Sequence, residues 1–284
     1  MTENSNPLNK YFRQPSIYIT LPSGGNYPPH VMTPTQTGEI GVMPMTARDE
    51  IKFKTPDALM NGQGVVDVIQ SCIPNIKDAW QVNSIDLDTI LIAIRIATYG
   101  ETMDITFDIP KIAEKGSHTL NLPALLDSIK QEKAVESLTL KNGMQFFLRP
   151  LTYKDMTSAS LQTFQQQRIY STVANSEMSD DEKSKRFNDS FKTLTELNDQ
   201  ILRKNVSMIR TPEGNEVSDP NLIKEFFENA NTTVINELQD RLADVRKIGT
   251  IKPLKLQATD DQVKKGAPPN YEVPITFDTA NFFV

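Results

Sequence analysis

Histidines, cysteines and paired carboxylates are the side chains from which most active sites are built, and this chain offers few of them in useful places. It has two histidines, His30 in a proline-rich stretch and His118 after Gly116-Ser117, which argues against histidine-based catalysis or metal ligation. The single cysteine, Cys72, excludes an internal disulfide and a cysteine-rich zinc site, and is read as a small buried apolar group. Asp86 with Asp88, and Asp180 with Asp181, form carboxylate pairs, but each pair stands where a helix is expected to begin. Acidic side chains there are favoured by the positive end of the helix dipole. Asp104 and Asp108 lie four apart on an alternating segment and so share the solvated face of a strand. The sequence has no phosphate-binding loop, dinucleotide fingerprint, nucleophile elbow or metalloprotease helix, and Gly62-Gln63-Gly64 is too short to stand for one. The expectation is a protein that is not an enzyme and needs no metal and no cofactor. A hydrolase using Asp86 or Asp104 is the remote alternative.

Binding residues are easier to nominate. Tyr11, Phe12 and Arg13 precede the fixed turn at Pro15 and could dock as an arm. Arg95 interrupts an otherwise apolar helix, where a salt bridge or a snorkelling side chain is the ordinary explanation and a partner contact the other. Trp80, between Ile76 and Val82, is a core anchor or an interface contact, and Phe282 with Phe283 give the C-terminus an aromatic end. These seven are the candidate partner-binding residues.

The elements that would position them follow from periodicity. Ile17, Ile19 and Leu21 alternate along a strand that stops at Pro22-Ser23-Gly24-Gly25, residues 26–38 form an extended loop, and residues 39–43 a second strand. Thr46 with Glu50 marks a helix start, Thr55-Pro56 another for a short helix over residues 56–60, and the valine and isoleucine spacing a third helix ending before Pro74. The strongest helical period is Leu87, Ile90, Leu91, Ile94 and Ala97, with Ser84 as cap and Gly100 as stop. Apolar residues also stand off that stripe, at Ile92 and Ile96, so this helix should be central. A strand at residues 103–109, a short helix at 122–129 and a hairpin around Asn142-Gly143 follow.

Residues 152–205 contain neither glycine nor proline and are polar around sparse apolar positions, which fits two antiparallel helices with a Ser179/Glu182 capping box between them. Beyond lie a small hairpin at 206–217, a helix started by Asp219-Pro220, another started by Asn231 and stopped by Gly249, and short strands at 254–257 and 272–277. The fold class is α+β: an N-terminal mixed lobe with short strands around a central buried helix, plus a predominantly helical lobe containing a long α-hairpin. The spans are a flexible arm at 1–14, the mixed lobe at 15–150, the helical lobe at 151–250 and an extended segment at 251–284.

A net charge of -6 gives no general attraction to nucleic acid or to an anionic membrane, so protein partners are the default. The chain lacks an apolar run of about 18 residues, and its first ten residues lack the apolar stretch of a secretory signal.

Several segments in order carry a resemblance: Tyr11-Phe12-Arg13-Gln14-Pro15, Leu21-Pro22-Ser23, Met45-Thr46-Ala47-Arg48-Asp49-Glu50, Thr55-Pro56-Asp57-Ala58-Leu59-Met60-Asn61-Gly62, and Ile92-Ala93-Ile94-Arg95-Ile96-Ala97-Thr98-Tyr99-Gly100. Together they resemble the baseplate-hub assembly proteins of T-even-like contractile-tailed phages, the T4-type base plate protein family. The resemblance implies a protein that helps build the tail baseplate hub through non-catalytic binding to hub or tape-measure proteins. It implies a place in the cytoplasm of the infected bacterial host, as a chaperone of assembly; a structural subunit retained in the virion baseplate is the alternative. Many relatives carry a Cys-Pro-x-Cys element resembling half of a zinc knuckle after the strand that follows the Tyr-Gly pair. Here that place reads Asp108-Ile109-Pro110-Lys111, so a metal-free version of this lobe is expected.

Overall fold

The structure, a computed structural model, describes residues 7–53, 62–130, 135–174, 177–247 and 251–275. Strands β1 (Ile17–Ile19) and β2 (Ile40–Val42) pair antiparallel with Tyr18 opposite Gly41. Helix α1 (Ala47–Phe53) starts as the sequence suggests at Thr46, but the carboxylate that completes the cap is Asp49 rather than Glu50. The third helical position is the one a cap hydroxyl and backbone N–H can reach. Helix α2 (Gln63–Cys72) follows, then a single 3-10 turn at Ala79–Gln81 capped by Asp78.

Helix α3 (Ser84–Tyr99) is the centre of the first core. Ile90, Ile92, Ala93 and Ile94 are fully buried, and β1, β2, α2, α4 (Leu122–Lys130) and the start of α5 (Tyr153–Ala174) all pack against it. Ser84 is not its cap. The N-cap is Asn83, and the Ser84 N–H is taken by the Leu151 carbonyl at 2.7 Å, next to an antiparallel bridge between Asn83 and Thr152. A strand-like crossing thus does what a cap side chain would have done.

The strand after Gly100, β3 (Thr102–Asp108), pairs along its whole length with β4 (Lys115–Asn121), which the sequence reading did not anticipate. Lys115-Gly116-Ser117-His118 has low strand propensity on its own, and Gly116 is used for space. A Cβ there would lie 2.5 Å from the Phe107 ring.

The second core is built on a four-stranded antiparallel sheet in the order β5 (Ser137–Thr139), β6 (Gln145–Leu148), β7 (Val206–Arg210) and β8 (Glu216–Val217). Phe146 is fully buried there, against Leu202, Ile209, Ile223, Phe227 and Leu238, with α7 (Pro220–Asn229) and α8 (Thr232–Lys247) contributing apolar faces. Between β6 and β7 run α5 and α6 (Asp180–Lys204), the antiparallel α-hairpin, with the expected Ser179/Glu182 capping box. Strands β9 (Leu254–Gln257) and β10 (Asn270–Val273) pair with each other, and the short α9 (Asp260–Lys264) lies between them. Leu254 packs on the first core and Tyr271 against Phe107. The molecule is mixed α+β, with a mixed N-terminal lobe around a buried helix and a long α-hairpin. The expected helix at 56–60, the Gly249 stop and the end of the 272–277 strand lie outside the described residues.

Gly62 joins the first core to the hairpin. Its φ is +79°, and a Cβ would meet the Tyr153 hydroxyl at 2.9 Å and Thr157 at 3.0 Å. Gly62→Ala combines left-handed strain with that clash and should lower stability by about 1–3 kcal/mol, read as a lower urea midpoint with an unchanged denaturant slope.

Candidate functional site

Asp86 and Asp104, the carboxylates named for a hydrolase, lie in different surroundings. Asp86 has no solvent exposure and accepts hydrogen bonds from the Ser23 N–H at 2.8 Å, the Ser23 hydroxyl at 2.5 Å and the Tyr27 hydroxyl at 2.5 Å. The Tyr27 oxygen in turn accepts from the Asn83 N–H. Burial pushes the Asp86 carboxyl up against the pull of its donors, and pushes the Tyr27 hydroxyl up as well, with Asp86 adding to that. The pair is a latch between the loop at 22–27 and the start of α3. Asp104 is exposed and accepts from Thr119 across the β3–β4 pair. Among the described residues there is no cluster of three or more histidine, cysteine, aspartate or glutamate side chains that could hold a metal ion.

Five of the seven nominated binding residues lie among the described residues, and the structure gives them different surroundings. Tyr11 and Phe12 are exposed, Tyr11 at 73%, at the end of a 3-10 turn over Pro7–Tyr11. Arg13 faces inward instead. Its guanidinium donates to the Pro44 carbonyl at 2.8 Å, to Asp49 at 3.0 Å, and to both the carbonyl and the hydroxyl of Ser71 at 2.7 Å. It ties the N-terminal segment to α1 and α2. Cys72 lies beneath, its thiol pushed up to about 12 by burial. Trp80 is half-buried and stacks on Tyr153, ring centres 5.4 Å apart. Arg95 is 8% exposed on α3, and its guanidinium lies 4.4 Å from the centre of the Tyr99 ring. Phe282 and Phe283 lie outside the described residues.

The sequence named no individual residue on the α-hairpin as a contact, yet among the described residues the hairpin displays several large exposed apolar side chains. Phe164, Ile169, Tyr170 and Phe191 are all exposed, Phe191 at 73%. Near the tip a shallow concavity between α5 and α6 is lined by Ile169, Met178, Arg186 and Ser190, with Ser190 donating to Gln166 across the pair. The signal that could have found them is the low charge of α5, which has Lys154, Asp155 and Arg168 as its only charged residues among 22. The root is firmer. Lys204 reaches Asp155 at 2.5 Å, and the Arg149 N–H bonds the Asn205 carbonyl at 2.7 Å.

Burial opposes ionisation of Asp49, but the Thr46 N–H and hydroxyl, a bond with Ser71 and the Arg13 charge outweigh it and hold the carboxyl below the usual range. Stability from a depressed carboxyl is present above its unfolded value and lost as pH falls through the folded one. Arg13→Ala should cost about 1–3 kcal/mol at neutral pH. Its urea midpoint should fall less steeply with acid than that of the parent chain; parallel acid limbs would show that Arg13 does not act through Asp49.

A family model described as T4 bacteriophage base plate protein matches residues 15–265. No curated protein and no solved structure matches the chain. The matched span takes in the Asp86 latch, the Arg13-bound face of α1 and α2, helix α3 and the whole α-hairpin, and on that coverage the chain belongs to the T4 bacteriophage base plate protein family.

Proposed function

We propose that this baseplate protein acts in assembly of the tail hub, as a non-catalytic chaperone that binds hub or tape-measure proteins in the cytoplasm of the infected host. The observation that carries this reading is the α-hairpin. Its helices run for 22 and 25 residues, yet Val173, Ser190, Leu197 and Leu202 are the only buried positions among their described residues, while five large apolar side chains, those above and Met156, face solvent. Two long helices that bury so little of each other, on a firm root, suit an arm whose exposed face is completed by another chain. The non-catalytic part is supported by Asp86, whose three donors and lack of exposure leave it no access to a substrate.

Phe164→Ser with Phe191→Ser tests the arm without touching either core. The double variant should keep the helical circular dichroism and melting temperature of the parent. Its recovery of hub or tape-measure proteins from infected-cell lysate should fall by roughly tenfold or more, as loss of two interface aromatics implies. Undiminished recovery would remove the arm from the reading. Mass spectrometry of purified tails separates the two roles: absence from particles fits the chaperone, and fixed stoichiometric presence replaces it with a structural subunit retained in the virion.

A further inference from the structure

Arginine is a costly side chain to leave inside a core without an anion, because its guanidinium stays ionised at every physiological pH. Arg95 is partly in that position, with one nitrogen sealed and the two terminal ones not. Its Nε is sealed from solvent without an acceptor, and among the described residues the guanidinium enters no hydrogen bond or ion pair. Its charged contact is with the face of the Tyr99 ring, 4.4 Å away. A ring face attracts the cation but offers no oxygen acceptor to a group with five N–H donors.

The cover over this charge is a side chain at the helix end. Tyr99 is the last residue of α3, before Gly100 at φ +97°, and it is 39% exposed. Its hydroxyl is bonded to Glu50 of α1. Moving it breaks that bond and costs a rotamer change, but leaves the helix intact.

The geometry points to Arg95 as the receptor for a carboxylate side chain presented by another tail protein, with Tyr99 as the cover that the carboxylate displaces. This rests on the reading of the chain as a protein that works by binding other tail proteins. A guanidinium fork matches a carboxylate with two parallel hydrogen bonds. The neighbours along α3, Leu91, Ile92 and Ile94, are buried aliphatic side chains. A small free acid would be held here by one charge with few other polar groups to fix it, whereas a side chain presented by a folded partner brings surrounding contacts of its own.

Arg95→Met removes the charge at similar length. The variant should melt at the same temperature as the parent or higher, because a guanidinium with a sealed and unpaired Nε–H is replaced by an apolar chain. Its recovery of hub or tape-measure proteins, identified by mass spectrometry, should drop by about tenfold or more. In the parent, the Arg95 Nε–H resonance, assigned by its loss in R95M, should shift on titration with sodium acetate and not with sodium chloride at equal ionic strength. A larger response to inorganic phosphate than to acetate overturns the carboxylate assignment. A melting temperature several degrees lower in R95M overturns the proposal, since the guanidinium would then be satisfied within its own chain, and so does unchanged recovery of partners. If the parent recovers no tail protein while acetate still shifts the resonance, the assembly reading fails and the anion site stands; if partners are recovered and acetate has no effect, the site fails and the assembly reading stands.

Discussion

Helix α3 has almost no solvent face, and most of the first lobe is arranged to meet that constraint. A helix buried on several sides needs cover from several directions, and it receives it from β1, β2, α2, α4 and the start of α5. Its polar groups must be satisfied from inside. Asp86 is met by Ser23 and Tyr27, the Ser84 N–H by Leu151, and the Thr98 hydroxyl by the Ile94 carbonyl while it accepts from Met45. The proline-rich loop at 22–38 is therefore a working part of the core: it delivers Tyr27 and Ser23 to the helix start and lays Met32 beside Ile76.

The crossing at 151–153 then couples this lobe to everything after it. Leu151, Thr152 and Tyr153 bond along the segment before α3, and Tyr153 stacks on Trp80, so the first turn of α5 belongs to the first core. At the other end of the hairpin, Leu202 and Val206 belong to the second core. Both chain ends of the arm are held by packed elements while its far half is mostly exposed. Local stability should grade from root to tip, which is the arrangement expected of an element that adapts to a partner.

Legibility in the sequence divides along contact distance. The Ser179/Glu182 box, the Asp219-Pro220 helix start, the Asn142-Gly143 hairpin and the apolar period of α3 are local signals, each complete within a few residues, and each is present as read. The pairing of β6 with β7 spans some sixty residues of hairpin and leaves no mark in either strand. The Arg13 anchor is of the same kind. Its partners at Asp49 and Ser71 are 36 and 58 residues away, so a polar N-terminal stretch with two aromatics reads as an arm although its arginine is fixed. Arg95 was conspicuous from its apolar neighbours alone, but only the fold shows that no carboxylate of the described residues pairs with it.

Three of the described helices carry aspartate at the third helical position, and their carboxylates do different structural work. In α1 and α5 the aspartate closes a box with the preceding threonine, Thr46 with Asp49 and Thr152 with Asp155, and a distant cation, Arg13 or Lys204, then bonds the same carboxylate. Burial opposes ionisation at both, but threonine bonds and the cation prevail and hold both carboxyls low. Asp86 in α3 turns away from its own helix start to Ser23 and Tyr27, has no cation, and is raised by burial. Its sign is opposite: the fold favours the proton on Asp86, so this group opposes folding when ionised and does so less as pH falls towards its unfolded value. The same residue type at the same helical position thus clamps a surface segment twice and seals a core loop once. What decides between them is whether a distant cation arrives, and that is a property of the tertiary fold rather than of the local sequence.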